Sequence, residues 1–137
     1  MNSPTRPAAN VLVLWVIWFA LVSSIVFYQF MLGHGLLTGI DAQPASHNPI
    51  MLFAVGQIAV ASLLRWLLLP KARVFHRQLI VMVIGLALSE SVEIYGIFLF
   101  GPDMPSTKMT LFVVSLLSAL QFAPVFAKQG NADGQNG

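Results

Sequence analysis

Val11-Leu-Val-Leu-Trp-Val-Ile-Trp-Phe-Ala-Leu-Val-Ser-Ser-Ile-Val-Phe-Tyr-Gln-Phe-Met-Leu32 carries no charge, and only Ser23, Ser24 and Gln29 break its apolar character strongly. A helix rises 1.5 Å per residue, so about 20 such residues reach roughly 30 Å, the thickness of a bilayer's hydrocarbon core. Three more runs are as long and nearly free of charge, at 49–69, 79–100 and 109–127, the last span taken in all from Thr107. With 57% hydrophobic and only 9% charged residues in 137, the chain has more apolar surface than one small aqueous core can hide. Strands are disfavoured, because unpaired backbone groups are intolerable in lipid and the runs lack the ten-residue alternation of a membrane barrel. The expected fold is all-α: one domain, a polytopic membrane protein built as a four-helix transmembrane bundle.

The cations give this bundle a direction. Arg6 precedes the first run, Lys71, Arg73 and Arg77 join the second to the third, and Lys128 follows the fourth, whereas the other two connections hold only Lys108. Cytoplasmic loops carry the excess of Lys and Arg, so both termini and the middle loop are expected inside, an N-in/C-in arrangement. Arg65 adds to the count by snorkelling to the headgroups, with Trp66 beside it as an interfacial anchor. The net charge of +2 is thus a topology signal, and no basic aromatic platform of the kind that binds nucleic acid is present. The expected location is multi-pass in a membrane, a bacterial inner membrane. The lipid bilayer is the expected partner, with a homo-oligomer or a larger membrane complex left open.

The first run exceeds the apolar core of a signal peptide, and Ala42-Gln-Pro-Ala45 is a poor cleavage site, so the run is read as a retained anchor. Absence of cysteine excludes disulfides and thiolate metal sites. Residues 1–9 and 128–137 are polar or rich in Pro, Gly, Asn and Gln, and are expected to be disordered. The outer loop at 33–48 holds His34, Asp41 and His47 at a spacing that fits no regular metal motif. Gly101-Pro-Asp-Met-Pro105 reads as a tight outer turn, after which Ser106 or Thr107 is expected to cap the fourth helix.

Chemistry concentrates in the third run. Glu90 and Glu93 lie three residues apart near its middle, a spacing that puts both toward one face of a helix. Carboxylates are expensive at that depth, so both should point into the bundle and at least one should be protonated at neutral pH. Ser24, Gln57 and Ser115 sit at comparable depth on the other three runs, and Ser115, Ser118 and Gln121 recur every three residues on the fourth. A polar layer across all four helices follows. A carboxylate, an amide oxygen and a hydroxyl are hard donors that suit Na⁺ or a hydrated proton.

Met82-Val-Ile-Gly-Leu-Ala-Leu-Ser-Glu-Ser-Val-Glu-Ile-Tyr-Gly96 resembles the second helix of subunit c of rotary F-type ATP synthases. In that family's sodium-binding members an essential Glu is followed by Ser, a Tyr lies five positions on, and the preceding helix supplies a Gln. The resemblance therefore implies an H⁺- or Na⁺-binding set of Glu90, Ser91, Tyr95 and Gln57, with Glu93 a second acid one turn away. The family's hairpin turns in the cytoplasm, where the charge count places the loop between the second and third runs. Its run of glycines is reduced here to Gly56 among residues 49–62, and its Arg-Gln-Pro turn is absent, since Arg77-Gln78 is followed by Leu79. About two of the four helices are covered.

Two readings of function remain open at this level. In one, the second and third helices form a subunit c-like hairpin that binds H⁺ or Na⁺ at Glu90 and takes part in ion translocation. In the other, the chain is a structural or assembly protein whose polar residues only hold helices together. An intramembrane enzyme is not expected, because the runs contain neither histidine nor aspartate. No cofactor beyond the bound ion is expected.

Overall fold

The computed structural model describes residues 6–36, 38–42, 49–100 and 103–131. Among these residues the chain is helical, without strands: α1 (Arg6–Met31), α2 (Pro49–Leu63), α3 (Phe75–Leu99) and α4 (Pro105–Leu120). Short tighter or wider turns extend α2 and α4, giving four stretches long and apolar enough to cross a membrane: Asn10–Met31, Pro49–Lys71, Phe75–Leu99 and Pro105–Ala127. Prolines set several of the limits. Pro49 and Pro105 open their helices, where a missing amide N–H costs nothing. Pro124 stops α4, and the chain goes on as a 3₁₀ turn, Pro124–Asn131.

Residues 6–9 continue α1 and residues 128–131 continue the last 3₁₀ turn, while 1–5 and 132–137 lie outside the described residues. Helix α3 starts at Phe75, four residues before the apolar run, because His76, Arg77 and Gln78 are polar yet compatible with a helix. Past Leu63, Pro70 cannot donate to the carbonyl four residues back, and its ring crowds it. The chain widens into a π turn, Leu64–Leu68, in which the Leu69 amide bonds Leu64, and then tightens into a 3₁₀ turn, Leu69–Lys71.

Helix α3 is the hub. It packs against each of the other three helices, most extensively α4, while α1 and α2 flank this pair and barely meet each other. Of the apolar window in α3, 44% is buried and in α4 39%, against 11% in α1 and 17% in α2. The two flanking helices therefore present most of their surface outward. Leu12, Val16, Phe19, Leu52 and Phe53 are among the exposed apolar side chains, whereas Gln29, Ser89, Glu93, Thr107, Ser115 and Ser118 are buried. Apolar outside and polar inside suits a hydrocarbon solvent, not water.

The apolar core holds Leu14 and Ile25 of α1, Met82 and Leu86 of α3, Phe112 and Ala119 of α4, and Phe122 just beyond α4. A smaller cluster of Ala54, Val92, Phe100 and Leu111 lies nearer the other end. Trp18 donates its indole N–H to the Ala119 carbonyl at 3.1 Å and so ties α1 to α4. At the end of α1 the Gly35 amide closes back on the Gln29 carbonyl at 3.0 Å. A Cβ on Gly33 would lie 2.8 Å from the Gln29 backbone carbonyl oxygen, so glycine suits that close approach.

Neither Ser106 nor Thr107 caps α4. Pro105 already occupies the first turn, so those two side chains stand too late to reach its free amides. The outer loop does it instead: Asp41 accepts the Ser106 amide at 2.8 Å and the Thr107 amide at 3.1 Å, and the Thr107 hydroxyl also donates to it. The Thr107 hydroxyl above all, helped by the Thr107 and Ser106 amides, holds the Asp41 carboxyl below its ordinary 3.8, against desolvation, which pushes upward more strongly than either amide pulls down. A lowered value means that the cap is in force above 3.8 and is lost as the pH falls through the lowered value. Hydrogen-exchange protection of the Ser106 and Thr107 amides is expected to drop several-fold in that acid range, and in Asp41→Ala at neutral pH. Unchanged protection in the variant would remove Asp41 from this role.

Candidate functional site

Ser89, Glu90 and Ser91 are consecutive on α3, so their side chains leave the helix about 100° apart. Each meets a different neighbour. The Ser89 hydroxyl pairs with Ser118 of α4 at 2.7 Å, and Ser115 donates to the Ser89 carbonyl at 2.6 Å. Glu90 turns to α1, where its Oε1 lies 2.6 Å from the Ser24 hydroxyl, which is itself 2.7 Å from the Leu21 carbonyl. Ser91 turns to α2, its hydroxyl 2.9 Å from Gln57 Oε1 and 2.8 Å from the Leu88 carbonyl, two acceptors that share its one proton.

Gln57 completes a small cluster through its amide nitrogen, 3.4 Å from the Tyr95 hydroxyl, and the Tyr95 ring tilts against Phe53 at 5.8 Å between centroids. Of the five residues singled out in the sequence, the structure thus joins Gln57, Ser91 and Tyr95 and sets Glu90 and Glu93 apart from them. The cause is helical geometry. A residue and its immediate successor do not face one way, and five residues along a helix rotate by about 140°. Glu90 therefore cannot share a pocket with Ser91 and Tyr95 on a straight α3. The polar layer exists as three sectors around one helix.

Glu93 occupies the space between the sectors that face α1 and α4. It is 1% exposed, and neither carboxylate oxygen has a hydrogen-bond partner. Every other buried polar side chain described in the bundle interior is bonded, so Glu93 is the exception. One turn earlier on the same face stands Ser89, whose hydroxyl is engaged by Ser118 and by the Gly85 carbonyl. Below this level the polar contacts continue, with the Gln121 amide 3.2 Å from Ser118 and 3.4 Å from Ser62 of α2. They end at Arg65, carried by the π turn, which donates to the Gln121 carbonyl with its guanidinium 5.3 Å from the Trp66 ring centre and 5.5 Å from that of Phe126. A cation at the last carbonyls of α4 is favourably placed against the helix dipole.

Sequence reading found the serines of α4 and missed Ser89. Its signal was present: it stands one turn before Glu93 and one turn after Gly85, on the face that meets α4. Among the described residues no group of three His, Asp or Glu side chains gathers as a metal site, and His47 lies outside those residues. No known family, curated protein or solved structure matches the chain.

Proposed function

We propose that the chain is a proton-binding membrane protein in which Glu93 and Glu90 load and release H⁺ in the service of ion translocation, with both ends on the cytoplasmic face of a bacterial inner membrane. One observation carries the reading: the two Glu93 oxygens are enclosed in the bundle without a partner. An ionised carboxylate so placed is costly unless a proton or another cation joins it. Glu90 adds a second carboxyl inside the bundle, its Oε1 2.6 Å from the Ser24 hydroxyl of α1.

A proton is favoured over Na⁺ because the other hard donors are committed elsewhere. Gln57 bonds both Ser91 and Tyr95, which leaves Glu90 with Ser24 as its side-chain partner. A metal ion needs several oxygens converging on one point; a proton needs one carboxyl. The likeness of residues 82–96 to the subunit c helix is consistent with a carboxyl that works by protonation.

The second reading, a structural or assembly role, draws on the interlocked contacts of Ser89, Ser115, Ser118, Gln121 and Ser62. A hydrophobic carbodiimide, which attacks protonated carboxyls in apolar surroundings, separates the two. Expected is labelling of Glu93 that fades as pH rises and is indifferent to Na⁺, together with loss of proton flux in reconstituted vesicles carrying Glu93→Gln or Glu90→Gln. Labelling insensitive to pH, or variants with parental flux, would leave the structural role standing.

A further inference from the structure

At the end of the bundle that carries the basic turn between α2 and α3, a cavity of about 250 Å³ opens to the surface. Leu68, Ala72, Ile80 and Val81 supply its apolar lining, and Lys71 and Arg77 its charge. The chain reversal at 72–74 brings the two cations together: Lys71 ends the 3₁₀ turn after α2, and Arg77 is the third residue of α3. Helix α3 contributes further positive character at the same place. Val74 offers no side-chain cap and the first turn contains no acid, so the free amides and the positive end of the dipole are uncompensated.

No described carboxylate balances this charge. Asp41 and Asp103 belong to the loops at the opposite end, and Glu90 and Glu93 lie in the half of α3 nearer that end. Arg65 is already held by the Gln121 carbonyl and two aromatic rings. Lys71 and Arg77 remain for an outside anion. The site lies where two membrane-crossing stretches end, which is headgroup depth, and it sets a cationic rim beside an apolar wall.

We propose that this cavity seats an anionic phospholipid, its phosphate between Lys71 and Arg77 and its first acyl carbons along Leu68, Ile80 and Val81. The pairing of charge with apolar lining selects an amphipathic ligand over a free anion, and anionic headgroups are recognised by basic pockets between helices in this way. A role confined to topology needs only the charges; the lipid site also needs the cavity.

Native mass spectrometry of the full chain, released from nanodiscs of mixed phosphatidylglycerol and phosphatidylcholine, reads the difference. The parent chain is expected to retain phosphatidylglycerol several-fold over phosphatidylcholine. Ile80→Trp, which fills the cavity and leaves every charge in place, is expected to abolish that preference, as is Lys71→Gln with Arg77→Gln. Arg73→Gln, outside the cavity lining, and the charge-keeping pair Lys71→Arg with Arg77→Lys are expected to keep it. Loss of preference in Arg73→Gln equal to that of the double variant, full retention in Ile80→Trp, or displacement of the lipid by inorganic phosphate would each overturn the assignment. Because Ile80→Trp preserves the topology signal, the test stands even if the double neutralisation disturbs insertion.

Discussion

A Glu93→Leu variant is expected to resist unfolding better than the parent chain and, on the proposed function, to lose proton binding. Glu93 is 1% exposed with both oxygens unpartnered, and an unsatisfied polar group in such surroundings costs about 1–3 kcal/mol. Leucine fills similar volume and makes no polar demand, so the gain should approach that figure. Glu93→Gln should gain little, because its amide would be equally unsatisfied, and this difference between two near-isosteric replacements is the signature of the effect. Denaturant titration in a mild detergent, followed by loss of helical signal, measures it. A Leu variant weaker than the parent would mean that the carboxyl is held by bonds that the geometry does not contain. Stability gained as activity is lost is the usual relation at a functional site.

Gly85→Ala is expected to be among the most damaging single-methyl changes in the chain. A Cβ at that position would stand 2.0 Å from Phe122 Cζ and 2.4 Å from Cε1, well inside contact distance. Phe122 is fully buried against Met82 and Leu86 and has little room to retreat. Overpacking of this kind costs about 1–3 kcal/mol. The cost should be undone by shortening the opposing side chain: Gly85→Ala with Phe122→Leu is expected to recover most of it, although Phe122→Leu alone is destabilising. Additive losses in the double variant would show that the two positions do not touch. In lipid no hydrophobic driving force pulls helices together, so close fits such as this ring on glycine, just past the end of α4, matter to the packing on α3.

The four helices were legible because bilayer thickness imposes a length that an apolar run either reaches or does not. Their limits were legible at Pro49 and Pro105, whose consequences are local, and illegible at Phe75, where polar residues continue a helix that hydropathy ends too soon. Asp41 as the cap of α4 was beyond reach, since it acts across sixty-five positions of chain. In the candidate site the depth of each polar residue could be read, and its direction could not. Glu90 and Ser91 are neighbours in sequence and were grouped for that reason; their partners, Ser24 and Gln57, sit on different helices packed against α3. Which helix occupies which side is a property of the assembled bundle.

The near absence of packing between α1 and α2 bears on how the protein is made. A nascent chain enters the membrane in chain order, so α1 and α2 arrive before α3 and have almost nothing to hold on to in each other. They must wait in the bilayer as separate rods until α3 follows, bringing the surface that both of them need. Assembly is then a late event, and truncation before residue 75 should leave two helices that insert yet never associate. In a cell, the same interval is when an unfinished chain is open to quality-control proteases, and it ends only when the hub arrives.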